Sequence, residues 1–185
     1  MMTDDDNAFF VITGGPGAGK TTLLSALAAQ NYATAPEGGR AIIRDQMAID
    51  GPALPWRDRA LFAELMLGWD MRSYAEARDR GGIVLFDRGV PDVVGYLSLS
   101  GLAIPAHLER AARQIRYRRL VFAAPPWRAI FAGDAERKQD FAEAERTFAA
   151  VTGAYRDFGY EPVELPLASV AERVAFVRAR IAAAG

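Results

Sequence analysis

Residues 14–21 read Gly14-Gly15-Pro16-Gly17-Ala18-Gly19-Lys20-Thr21 and satisfy the phosphate-loop pattern G-x-x-x-x-G-K-[ST] at every fixed position. The preceding run Ala8-Phe9-Phe10-Val11-Ile12-Thr13 is apolar and β-favouring, as a buried strand requires. The following stretch, Thr21 to Ala29, carries Leu23, Leu24 and Leu27 among alanines at helical spacing. Strand, glycine loop and helix therefore occur in the order that gives the motif its meaning. Glycines lack Cβ and admit positive φ, so consecutive N–H groups can turn inward around phosphate oxygens. The helix start adds its partial positive charge. On this reading Gly15, Pro16, Gly17, Ala18, Gly19, Lys20, Thr21 and Thr22 bind ATP. Lys20 reaches the β- and γ-phosphates, and the Thr21 hydroxyl ligates Mg²⁺. A dinucleotide fingerprint beginning at Gly15 fails, because it needs glycine where Lys20 stands. No N-K-x-D run is present to select guanine; neither Asn7 nor Asn31 precedes a lysine.

A second signal lies in Ile83-Val84-Leu85-Phe86-Asp87, four apolar residues closing on an aspartate after Gly81-Gly82. This is the form of a Walker-B strand buried on both faces, with Asp87 as the second metal-holding group. Hydrolytic motors commonly place a glutamate next; here the residue is Arg88, which holds anions or hydroxyls and cannot take a proton. The reading moves from hydrolysis toward transfer to an organic acceptor.

Between these signals, Tyr32-Ala33-Thr34-Ala35 is a short strand candidate leading into Pro36-Glu37-Gly38-Gly39-Arg40. A strand exit in an open α/β sheet faces the ligand edge. Glu37 then reads as a general base or metal-shell group, against the plain alternative of a loop carboxylate in water. Ala41 to Gln46 starts a helix or irregular segment, and Trp56 to Arg80 reads as one long helix with Leu61, Leu65, Trp69 and Ala77 at helical spacing. Asp70 and Arg72 sit on neighbouring faces, either at an acceptor or on a solvated face. With Arg40 and Arg88, Asp70 completes the set of candidate acceptor contacts.

Further along, His107 to Arg119 reads as an arginine-rich helix with a solvated face, Leu120–Ala124 as the fourth strand, and 161–166 as the last. Val170 to Ala184 closes the chain as a helix. Residues 127–158 are helical in pattern and highly charged. Arg128, Arg137 and Lys138 bracket Gly133-Asp134, which suits a cationic flap over a triphosphate as well as it suits a solvated hairpin.

Composition bounds the rest. The 185 residues fit one domain, and a net charge of -1 gives no bulk attraction to nucleic acid or acidic membrane. There is no cysteine and only one histidine, His107, which reads as a surface residue; thiol chemistry and a histidine metal cluster are excluded. The acidic opening is no secretory signal, and no apolar run has the length of a membrane span, so a cytoplasmic location is expected.

The segments FVITGGPGAGKTTLL, PEGGRAIIRDQ, LFDRGVPDVVGY, APPW and ERKQDF, in this order, resemble the NadR-type AAA-family P-loop proteins, relatives of nicotinamide riboside kinase domains. The middle, LFAELMLGWDMRSY…IVLFDRG, is also similar to thymidylate kinases. The resemblance implies a kinase-type P-loop NTPase, a three-layer α/β sandwich on a five-stranded parallel sheet of order 2-3-1-4-5. It also implies a helical lid over about residues 127–141, to which Arg128 and Arg137 contribute. Lys20, Glu37, Asp87, Arg128 and Arg137 become the catalytic candidates, Thr21 and Asp87 the metal ligands, and ATP with Mg²⁺ the cofactors. Two functions remain: a kinase acting on a nucleoside-like or other small acceptor, and an ATPase or nucleotide-gated binding protein with none.

Overall fold

The computed structural model describes residues 8–131 and 140–184. Five parallel strands form its sheet: β1 (Phe9–Gly14), β2 (Ala33–Ala35), β3 (Val84–Asp87), β4 (Leu120–Ala124) and β5 (Glu161–Glu164), in spatial order β2-β3-β1-β4-β5. The helices are α1 (Lys20–Ala28), α2 (Gly38–Ala48), α3 (Arg59–Arg80), α4 (Val90–Leu99), α5 (Ala106–Gln114), α6 (Phe141–Asp157) and α7 (Val170–Ala184). Every described strand is continued by a helix, and β1 lies at the centre, in the strand order expected of the three-layer α/β sandwich.

Why the strands are continuous apolar runs follows from the two covered faces. Along β1, Phe10 and Ile12 point into a core built with Leu23 and Leu27 of α1 and Val177 and Ile181 of α7. Phe9 and Val11 point the other way, toward Phe86, Tyr117, Tyr155 and Tyr160. The helix α4 is apolar nearly all round because α3, α5 and α6 enclose it; Val90, Val93, Val94 and Leu97 are all buried. Each such side chain contributes about 1.5–3 kcal/mol on leaving water.

Several expected boundaries move. The long helix begins at Arg59, because Asp58 caps it by accepting from the Leu61 N–H at 2.9 Å. Its buried face is Phe62, Ala63 and Leu67, while Leu61 and Leu65 are exposed. The segment after Glu37 is a full helix from Gly38. The arginine-rich helix stops at Gln114, so that Ile115 to Arg119 feeds β4. Residues 127–131 are not helical, and the helix of that region starts only at Phe141, capped by Asp140. β5 ends at Glu164.

The register aligns the strand exits. Ile12 lies beside Asp87, Ala35 beside Phe86 and Gly14 beside Ala124. The phosphate loop, Glu37 and the Asp87-Arg88 pair therefore leave the sheet at one edge. No described helix is long and apolar enough to cross a membrane.

Candidate functional site

The loop after β1 takes the shape its glycines permit. Gly14, Gly17 and Gly19 have φ of 137°, 68° and 76°, all in the region that favours glycine. Gly19 is the residue that opens α1. The Lys20 side chain folds back over the loop, donating to the carbonyls of Gly14 at 3.1 Å and Gly15 at 2.9 Å. Burial and the nearby Arg88 charge pull its pKa down to about 8, against the attraction of Asp87, Glu37 and Asp92. Holding the ammonium there at neutral pH costs about 3 kcal/mol. Thr21 and Thr22, one residue further on, are exposed.

Arg173 of α7, the helix packed beside α1, braces this loop. It is buried and donates from Nη1 to the Ala18 carbonyl at 3.0 Å.

Beside the loop lies an ionic frame. Arg88 has φ 74°, an unusual left-handed backbone for a side chain of this size, and its N–H is tied to the Ile12 carbonyl at 3.1 Å. That turn sends the guanidinium between two carboxylates. Its Nε faces Glu37 Oε1 at 3.3 Å, and its Nη1 donates to Asp92 Oδ1 at 3.1 Å. Burial opposes the Arg88 charge, but Glu37, Asp92 and Asp87 together hold its pKa above the ordinary value.

Asp92 is the best-connected carboxylate of the site. It accepts from Thr13 Oγ1 at 2.5 Å, from Tyr155 OH at 2.7 Å and from the Gly89 N–H at 3.1 Å, in addition to Arg88. Sequence reading passed over it, although its position three residues after Gly89, at the start of an apolar helix, is a capping signal.

Glu37 is held by its neighbours more than by its own bonds. Trp69 of α3 donates from Nε1 to the Pro36 carbonyl at 3.2 Å, and its ring covers Gly38 so closely that a Cβ there would lie 2.4 Å from it. The turn carrying Glu37 is thus pinned to α3. Its side chain is 17% exposed, so Glu37 is not a loop carboxylate in open water.

Asp87 ends β3 buried, with Oδ1 accepting no hydrogen bond among the described residues. Burial raises its pKa, which the Lys20 charge partly offsets. An orphaned carboxylate oxygen beside a threonine-bearing phosphate loop fits a Mg²⁺ ion held by Asp87, Thr21, phosphate and water.

Against this frame opens a cavity of about 340 Å³. Pro16, Glu37 and Arg88 form its inner wall, and Phe62, Met66, Val93, Tyr96 and Val151 its apolar sides. Asp70 lines it too, so the structure separates the Asp70–Arg72 pair: Arg72 turns outward to Glu76 at 3.5 Å. Burial, with Asp92 beside it, raises the Asp70 pKa well above the usual carboxylate range; Arg88 opposes this, and Glu37 and Asp87 add to it. Trp56, Arg59 and Glu143 also line the cavity, and sequence reading gave none of them a role. Arg40 is exposed in the first turn of α2 and does not line the cavity. Arg128 is exposed and stacks on the Phe141 ring at 4.1 Å, at the foot of α6. Arg137, Lys138 and Gly133-Asp134 lie outside the described residues. His107 is on the surface as expected, paired with Glu64 at 2.8 Å.

A family model described as an AAA domain matches residues 9–173. The chain belongs to the AAA domain family. Within it, this AAA domain has the fold of nucleoside and nucleotide kinases. A deoxyadenosine kinase from M. mycoides, solved with bound dATP, superposes with a TM-score of 0.66 at 10% identity, covering 95% of this chain and 100% of that one. Thymidylate kinase from Candida albicans gives 0.64 at 11% identity, covering 96% and 92%. Thymidylate kinase from Ehrlichia chaffeensis gives 0.64 at 13%, covering 94% and 98%. The family match is broader than the NadR-type likeness, and no curated protein matches the chain by sequence.

Removing Asp92 tests the frame. Asp92→Ala leaves the Thr13 and Tyr155 hydroxyls and part of the Arg88 charge buried without their acceptor. Denaturant unfolding should show a loss of about 3–5 kcal/mol. A loss below about 1 kcal/mol, the scale of an exposed ion pair, would show that the network does not hold the site.

Proposed function

We propose that the protein is a small-molecule kinase that binds Mg²⁺·ATP on residues 14–21 and phosphorylates a hydroxyl of an acceptor seated in the cavity. The observation that carries this reading is the shared wall. Pro16 of the phosphate loop, Glu37 and Arg88 all border a cavity large enough for a small organic molecule. A hydrolase needs only a water beside the γ-phosphate. A separate cavity of this size, apolar along its sides, suits an organic acceptor.

In the reaction, the acceptor oxygen forms a bond to the γ-phosphorus as the bond from that phosphorus to the β–γ bridging oxygen breaks. ADP departs, and the hydroxyl proton passes to Glu37. Most of the catalysis is positioning and charge. The loop N–H groups and the α1 terminus cradle the phosphates, and Lys20 moves from the loop carbonyls to the β- and γ-oxygens. Thr21 and Asp87 would hold Mg²⁺, which would supply positive charge to the transferring phosphate. Arg88 fixes the Glu37 carboxylate toward the cavity from its own clamped position. Arg128, and Arg137 of the expected lid, would add positive charge from above. Glu37 on the cavity wall supports a neutral hydroxyl acceptor, since such an acceptor needs a base where a phosphate acceptor does not.

Two outcomes follow for solution measurements. Glu37→Gln keeps shape and removes the base, so acceptor-dependent turnover should fall by roughly 10²–10⁴-fold with ATP affinity little changed. Undiminished turnover would remove Glu37 from the chemistry. The second concerns Lys20, whose ammonium titrates at about 8. Only the protonated form attracts the triphosphate, so ATP affinity should be flat below that pH and fall by up to about tenfold per pH unit above it. A titration series between pH 7 and 9.5 reads this directly; affinity independent of pH across that span would contradict it.

A further inference from the structure

The cavity has an unequal charge balance that bears on what it accepts. Four carboxylates border it, Glu37, Asp70, Asp92 and Glu143, against two guanidinium groups, Arg59 and Arg88. Arg88 is committed to Glu37 and Asp92 at 3.3 and 3.1 Å. Arg59 donates from Nε to the Pro55 carbonyl at 3.1 Å, at the exposed rim. Among the described residues the lining therefore holds more carboxylates than cations, which suits a cationic acceptor better than a phosphate-bearing one.

Asp70 differs from the other carboxylates. It lines the cavity and makes no hydrogen bond or ion pair among the described residues. Phe62 and Tyr96, packed edge to face with ring centroids 5.6 Å apart, line the same cavity. A carboxylate with open acceptor positions in a cavity with aromatic and aliphatic walls suits an organic cation.

We infer that the acceptor carries a protonated amine besides its hydroxyl, with the ammonium held by the Asp70 carboxylate and its organic body against the apolar walls of the cavity, Phe62 and Tyr96 among them. This rests on the kinase reading of the same cavity. It makes Asp70 the specificity-determining residue, with Glu37 and Arg88 serving the hydroxyl end. It separates this chain from kinases that take nucleoside monophosphates, whose acceptor is an anion.

The surroundings of Asp70 set the pH behaviour. Asp92 of α4, Glu37 after β2, and Asp87 and Arg88 at the end of β3 all act on it, and Tyr117 before β4 is coupled to it. The carboxylates outweigh Arg88, so Asp70 tends to keep its proton. An arriving ammonium favours the ionised form. Binding therefore releases a proton, and affinity for the amine rises with pH until the amine itself deprotonates.

The test uses small alcohols in matched triads, such as glucosamine, glucose and glucose 6-phosphate, or 2-amino-1-phenylethanol, 1-phenyl-1,2-ethanediol and its monophosphate. Calorimetric binding and ADP release are both read on the wild type and on Asp70→Asn. The amines should bind at least about tenfold more tightly than their neutral counterparts, release a proton, and lose that advantage in Asp70→Asn. Proton release in the wild type, taken from two buffers of different ionisation heat, keeps the test valid should the variant fold poorly. Equal binding of neutral or phosphorylated members, binding by no amine of the panel, or an amine preference that survives Asp70→Asn would overturn the inference. ADP release driven by neutral alcohols alone would overturn it and leave the kinase reading standing. Amine binding that needs Asp70 but never releases ADP would uphold the cation site and remove the kinase reading.

Discussion

The structure of the site depends on one buried ion pair network, Glu37–Arg88–Asp92. Arg88 is the residue after the central Asp87, and its backbone at φ 74° is held in place by a bond to Ile12 of β1. Its side chain then joins the exits of β2 and β3 to the start of α4. Two segments far apart in sequence, the turn after β2 and the β3–α4 junction, are thereby fixed at one sheet edge. Buried ion pairs contribute little net stability when compared with apolar packing, but breaking one leaves a charge in a low dielectric. That asymmetry makes the network a device for specifying geometry. Asp92 carries the greater share, because two hydroxyls and a backbone N–H lock its carboxylate before Arg88 reaches it.

The phosphate loop is held under a related tension. Lys20 spends its hydrogen bonds on Gly14 and Gly15, in a place that disfavours its charge. On the kinase reading, a triphosphate would replace two weak carbonyl partners with several anionic oxygens, and binding would relieve an electrostatic cost already present. Arg173, reaching from α7 to Ala18, ties the same loop to α7.

How much of this was legible in the sequence depended on whether a feature is local. The loop, β1 and β3 were readable because their signals are contiguous: glycine spacing, then apolar runs ending in Asp87. Glu37 was readable from topology alone, since the exit of a strand next to β3 has to face the loop. Asp92 and Trp69 were not, because each acts through contacts more than thirty residues away, with Thr13 and Tyr155 in one case and Pro36 in the other. The faces of α3 were misjudged for a similar reason. Its apolar residues nearly encircle it, and only the positions of α2 and α4 decide that Phe62 and Leu67 turn inward while Leu61 and Leu65 do not. Asp70 was visible as a candidate, but its role depends on the cavity that α4 and α6 complete.

What most directly tests the account is the fate of the terminal phosphate. Phosphorus NMR of the protein with Mg²⁺, ATP and an acceptor that binds the cavity should show a new phosphate monoester resonance growing in step with ADP. Inorganic phosphate as the sole product, formed at the same rate with and without the acceptor, would contradict phosphoryl transfer and make the protein a hydrolase or a nucleotide-gated binder.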